Sequence, residues 1–201
     1  MFLLYYLISS PFVNYLFMQG TSLNFSPVLE RPDLVPASLT EAIKSWTGPQ
    51  KASDFLVAEI DPEFSGGAEL CAKYGVDPRH GANCLIVEGK RGGISSIVVC
   101  LVPVGYRYDM SGVVRKKLNA RQVSVASLDL VISKTQMEYG SITPIGLPKD
   151  WQVFIDPLVM TSERIIIGGG LKKSKLSIPS NALMYLPGAE IVEGLAKKID
   201  P

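Results

Sequence analysis

A chain of 201 residues with 47% hydrophobic content is long enough for one well-buried core and too apolar to stay disordered. Its net charge of +1 excludes nucleic-acid binding through bulk charge, so any such contact has to come from local clusters. Cys71, Cys84 and Cys100 have no CxxC spacing and make a poor disulfide framework, as expected of a cytoplasmic protein. With His80 as the one histidine, a zinc site would depend on carboxylates, and neither a metal nor an organic cofactor is expected.

Residues 1–18 are apolar and almost uncharged. They lack the basic region and cleavage site of a signal peptide, and Ser9, Ser10, Pro11 and Asn14 interrupt what would be a membrane span. Two readings remain, a translation start at Met18 and a membrane anchor, with membrane association the less expected. Residues 19–54 read as a loop-rich lead-in, in which Ser38 and Glu41 suggest a capping box for a short helix bearing Leu39, Ile43 and Trp46. Residues 55–201 read as the main domain.

Within it, residues 55–60 are a strand candidate, and Ser65 opens a helix that Gly75 closes. Residues 84–88 and 94–102 form a hairpin whose tip, 89–93, carries Lys90 and Arg91. Asp109 caps a helix with Met110, Val113, Val114 and Leu118 at helical spacing; 123–126 is a short strand, and Ser127 starts another helix. Strands follow at 153–155, 165–167 and 176–178, then a helical turn at Ser180 and a closing strand at 190–192. Short strands in adjacent pairs, without a regular βαβ repeat, predict an α+β fold with a mixed, mostly antiparallel, partly barrel-like sheet and packed helices.

The chain is organised around the loop after the Ser127 helix. Gly140 and Gly146 allow conformations that a Cβ resists and Pro144 fixes φ, so 140–144 read as a rigid turn carrying Ser141, Ile142 and Thr143. Such a loop either points carbonyls and hydroxyls at a ligand or is a plain turn.

The run Gly-Ser-Ile-Thr-Pro-Ile-Gly-Leu at 140–147 resembles the GxxxP signature of the YbaK family, aminoacyl-tRNA deacylases related to the editing insertion of bacterial prolyl-tRNA synthetase. The similarity extends over roughly 55–195. It implies hydrolysis of the ester joining a wrong amino acid to the tRNA 3′ end, with Gly140 and Ser141 at the catalytic site and Ile142, Thr143, Pro144, Gly146, Asp156 and Gly168 around the substrate. The implied partners are the tRNA acceptor end and an aminoacyl-tRNA synthetase. The family lysine that precedes Thr-Leu-Val on the first hairpin strand matches Asn83, ahead of Cys84, Leu85, Ile86 and Val87. Asparagine carries no charge, and a charge-assisted hydrogen bond is about twice as strong as a neutral one. Asn83 therefore implies either a deacylase that handles its substrate differently or a module that binds without hydrolysing; Asn83→Lys should raise activity in the first case alone. Gln136 departs too, where relatives have Gly.

Asp156 has a second reading, as the cap of the turn at Pro157. The triple glycine at 168–170 lacks phosphate-loop spacing. Two basic clusters, Arg107, Arg115, Lys116, Lys117 and Arg121, then Lys172, Lys173 and Lys175, either meet tRNA phosphates or are solvated faces. Lys90 and Arg91 could reach the acceptor end. A His80–Cys84 nucleophilic pair is not expected, because His80 lies in a loop while Cys84 enters a strand.

Overall fold

The computed structural model describes residues 20–199; the apolar stretch 1–18 lies outside them. In chain order the strands are β1 (Phe25–Pro27), β2 (Leu56–Glu59), β3 (Ala82–Arg91), β4 (Ile94–Pro103), β5 (Tyr106–Tyr108), β6 (Gln122–Val125), β7 (Gln152–Ile155), β8 (Arg164–Gly168), β9 (Ser174–Pro179), β10 (Ala189–Ile191) and β11 (Ala196–Lys198). The α-helices are α1 (Ala37–Lys44), α2 (Gly67–Tyr74), α3 (Arg115–Lys117) and α4 (Leu128–Thr135).

The β3–β4 hairpin is the spine. Gly92 and Gly93 stand at φ +57° and +81°, the left-handed values of a two-residue primed turn whose twist matches that of the strands. The expected five-residue tip therefore shrinks to two residues, and Lys90 and Arg91 belong to the strand. Alternation assigns Ala82, Ile86, Val99 and Leu101 to one core, and Val87, Val98, Cys100 and Val102 to a second. From Val98 onward β4 is buried on both faces, which is why that part reads as a continuous apolar run.

Two sheets hold this spine. One has the order β10-β7-β4-β3-β6, parallel at β10–β7 and β7–β4 and antiparallel at the other two pairings. The other, β1-β2-β9-β8, is antiparallel throughout. A single parallel bridge between Gly81 and Ile166 brings β3 and β8 together. The result is the α+β, mostly antiparallel architecture read from the sequence, a barrel started but not closed.

Local chemistry corrects three caps. Pro36, not Ser38, precedes α1, and Ser38 lies in its first turn with its hydroxyl buried. Gly66 replaces Ser65 as the cap of α2, because 62–64 form a separate 3-10 turn that Asp61 caps. Pro179 precedes the 3-10 turn Ser180–Tyr185. The other signals stand: Asp109 accepts from Gly112 N at 3.1 Å, Ser127 accepts from Leu130 N at 3.3 Å, and Gly75 closes α2 at φ +68°. The segment 20–54, which reads as loop-rich, adds β1 and sends Val28, Leu34, Val35, Leu39 and Ile43 into the main core.

Candidate functional site

The loop 140–144 is built on the triple glycine. Glu138 N donates to Gly170 O at 2.8 Å, and Gly170 N donates back to Ser141 O at 2.7 Å. The end of β8 can lie flat beneath the loop because Gly168 has no side chain. A Cβ there would stand 2.4 Å from both Ser141 O and Ile142 O, an impossible contact. Gln136 holds the left-handed position closing α4 at φ +57°, so the turn survives the departure from glycine at the cost of torsional strain.

Ser141 and Thr143 are fully buried, yet neither hydroxyl has a hydrogen-bond partner among the described residues. Buried polar atoms are rarely left so, and here two of them fall on one five-residue loop. Gly140 is exposed, at φ +84° with open space where a Cβ would be. Its need for glycine is torsional. Gly146, at φ +81°, has a different reason: a Cβ would meet the backbone of Ser38 and Leu39 at 2.8 Å. Pro144 and Gly146 face α1, where with Trp46, Trp151 and Tyr185 they line a cavity of about 180 Å³.

Strand register brings Asn83 to the other side of the loop. The Gly81–Ile166 bridge is parallel, and Asn83 and Gly168 each stand two residues beyond it. Its Oδ1 approaches the start of α2, 2.6 Å from where a Gly67 Cβ would be, and Asn83 is only partly buried. Gly168 pairs on its far side with Lys175 of β9. Lys175 is 6% exposed, its ammonium donates to Ser65 O at 2.7 Å, and burial pulls its pKa down to about 8. Its expected place in a surface cluster with Lys172 and Lys173 is therefore corrected. Leu176 and Ile178 face the main core, which turns Lys175 outward, but α2 covers that outer face.

Asp156 falls in line with Val102 and Asn83, two strands along the sheet and roughly 10 Å away at ordinary strand spacing. Both its oxygens are engaged by backbone, Oδ1 by Leu158 N at 3.0 Å and Oδ2 by Ala196 N at 2.7 Å. That is the capping role. Burial pushes the Cys84 thiol far above its ordinary range, which disfavours the thiolate that a nucleophile needs. Among the described residues no cluster of three His, Cys, Asp or Glu could hold a metal, and no helix is long and apolar enough to cross a membrane.

The basic residues gather at the far end of the spine. Lys90, Arg91 and Arg121 line one groove of about 480 Å³, and Arg91, Arg115 and Lys116 line a second of about 500 Å³. Arg91 is common to both. Lys117 is drawn away by an ion pair with Glu190. From Asn83 to Lys90 the strand runs roughly 23 Å at ordinary rise per residue.

The site thus consists of a loop clamped on a glycine floor, in an α+β domain with basic grooves at the far end of its central hairpin. Residues 61–186 match the aminoacyl-tRNA editing domain, and the chain belongs to that family. Two solved structures share the fold. One is a hypothetical protein, APE2540, with TM-score 0.66 and 18% identity over 80% of this chain and 99% of that one. The other is a candidate trans-editing enzyme for prolyl-tRNA synthetase, with TM-score 0.65 and 16% identity over 82% of this chain and 99% of that one.

Proposed function

We propose that this protein is an aminoacyl-tRNA deacylase acting in trans, which hydrolyses the ester of a mischarged tRNA without metal or organic cofactor. An aminoacyl ester is already activated, so holding it and an attacking water in place, with donors aimed at the developing charge, can lower the barrier without a protein nucleophile. In this reading Gly140, Ser141 and Asn83 position the reacting groups. Ile142, Thr143, Pro144, Gly146 and Gly168 shape the pocket, while Lys90, Arg91, Arg115 and Lys116 hold the tRNA body. The observation that carries the reading is the loop 140–144 clamped over Gly168 and Gly170, in a chain of the editing family. An aminoacyl-tRNA synthetase is the enzyme such an activity would serve. Three free thiols accord with a reducing, cytoplasmic setting.

The test is a deacylation time course with a panel of tRNAs mischarged with Ala, Ser or Cys. Release from one or two members well above the spontaneous rate, lost in Gly168→Ala, supports the deacylase. No release from any member, with tRNA binding intact, refutes it in favour of a second reading, a non-catalytic module for aminoacyl-tRNA or a small ligand. Asn83 favours that second reading, since it leaves position 83 without charge.

A further inference from the structure

Near the start of α2 the fold buries a cation whose hydrogen-bond partner among the described residues is a backbone carbonyl, Ser65 O. Lysine is almost never fully buried unless paired, because its ammonium loses hydration that only an anion restores. Lys175 is buried all the same, and among the described residues no carboxylate lies within ion-pair reach of it. Among the described residues its hydrogen bond goes to Ser65 O, and an ammonium has three donors. A lysine kept only for packing would be better replaced by Met.

Its surroundings say what that group is. Lys175 pairs with Gly168 across β8–β9, and Gly168 and Asn83 each stand two residues beyond the parallel Gly81–Ile166 bridge. The residue between Asn83 and Lys175 in this row is therefore a glycine, and above it hang the carbonyls of Ser141 and Ile142. Both side chains approach the start of α2, Asn83 at Gly67 and Lys175 at Ser65. Ser65, Gly66, Gly67 and Asn83 are all partly exposed, which opens this end of the row to solvent. We propose that Lys175 is the phosphate-binding cation of the site: reaching across Gly168 from β9, it meets the phosphate of the substrate's 3′-terminal nucleotide and supplies the charge that position 83 lacks. The inference rests on the deacylase reading of the pocket. It removes the objection that Asn83 raises, since the charge has moved to a neighbouring strand.

The experiment compares wild type, Lys175→Met and the double variant Asn83→Lys/Lys175→Met, each first checked for a cooperative thermal transition. The probe is 3′-aminoacylamino-3′-deoxyadenosine, bearing the amino acid that the panel releases fastest, with and without a 5′-phosphate. Wild type should bind the phosphorylated probe at least tenfold more tightly than the unphosphorylated one. Lys175→Met should lose that preference and show a raised KM for mischarged tRNA, while the double variant should recover most of both. A merely structural lysine would weaken both probes alike. A preference unchanged in Lys175→Met, or a wild type that hydrolyses tRNA yet is indifferent to the phosphate, overturns the proposal. A double variant no better than Lys175→Met overturns the claim that the two positions serve one phosphate. Failure of wild type to deacylate any tRNA overturns the deacylase reading instead.

Discussion

Replacing Lys175 by Met should make the protein more stable, and the gain should depend on pH in a particular direction. The ammonium is held in the folded state with its pKa lowered by burial from 10.5 to about 8. Every tenfold loss of proton affinity corresponds to about 1.4 kcal/mol, so the charged form is disfavoured in the native protein by roughly 3 kcal/mol. Below pH 8 native and unfolded chains are both protonated and the whole penalty is present. Between about 8 and 10.5 the unfolded chain binds the proton that the native chain has released, so wild-type stability rises with pH through this window. Met carries no proton. It also forfeits the bond to Ser65 O, worth about 1 kcal/mol, which leaves a net gain at pH 7 of about 2 kcal/mol. For a chain of this size that raises Tm by about 4–8 °C. Urea unfolding of both proteins at several pH values from 6 to 10.5 measures the difference. A Met variant less stable than wild type at pH 7, or an advantage that does not shrink above pH 8, would refute the account of Lys175 as a desolvated cation.

Gly168→Ala should abolish deacylation, since its Cβ would displace the Ser141 and Ile142 carbonyls, and the loosened loop should become a site of rapid proteolysis. Gly140→Ala meets no atom, so its cost is torsional, of order 1–3 kcal/mol, and the fold should survive with activity reduced; an unfolded variant would contradict the open space seen there. Arg91→Glu should raise KM for tRNA and flatten the dependence of log affinity on log salt by about 1 or more, leaving turnover at saturating substrate within a few fold. Asp156→Ala removes acceptors from Leu158 N and Ala196 N and should cost about 2–4 kcal/mol of stability in chemical denaturation, with KM unchanged once the protein is folded.

Periodicity and turn chemistry were legible where one element decides its own shape. The β3–β4 hairpin (though not its two-residue turn), the Asp109 and Ser127 caps and the left-handed Gly75 each follow from residues a few positions apart. The caps at Ser38 and Ser65 failed because a proline and a glycine one or two positions away offered the extended backbone that a cap needs. The loop 140–144 could be picked out by its glycines and proline, and Asn83 by its place before a strand. Lys175 could not. In a window of Lys172, Lys173 and Lys175 it looks like one more solvated charge, and only α2, far earlier in the chain, turns that face inward. The short strands β1, β5 and β11 were missed for the same reason, since each is held by a remote partner and carries little pattern of its own.

The order β1-β2-β9-β8 has a consequence for how the protein is made. Leu56 pairs with Ser177, so β2 leaves the ribosome long before the strand that covers its inner edge. At ordinary rates of synthesis of about 5–20 residues per second, the wait is roughly 6–24 s. Throughout it an apolar strand is unpaired on the side that β9 will occupy, and nothing local can substitute. The loop 140–144 is subject to a similar delay, because Gly168 and Lys175 are synthesised long after β2. A nascent chain stalled before β8 would carry the loop 140–144 without the Gly168 and Gly170 backbone on which it rests.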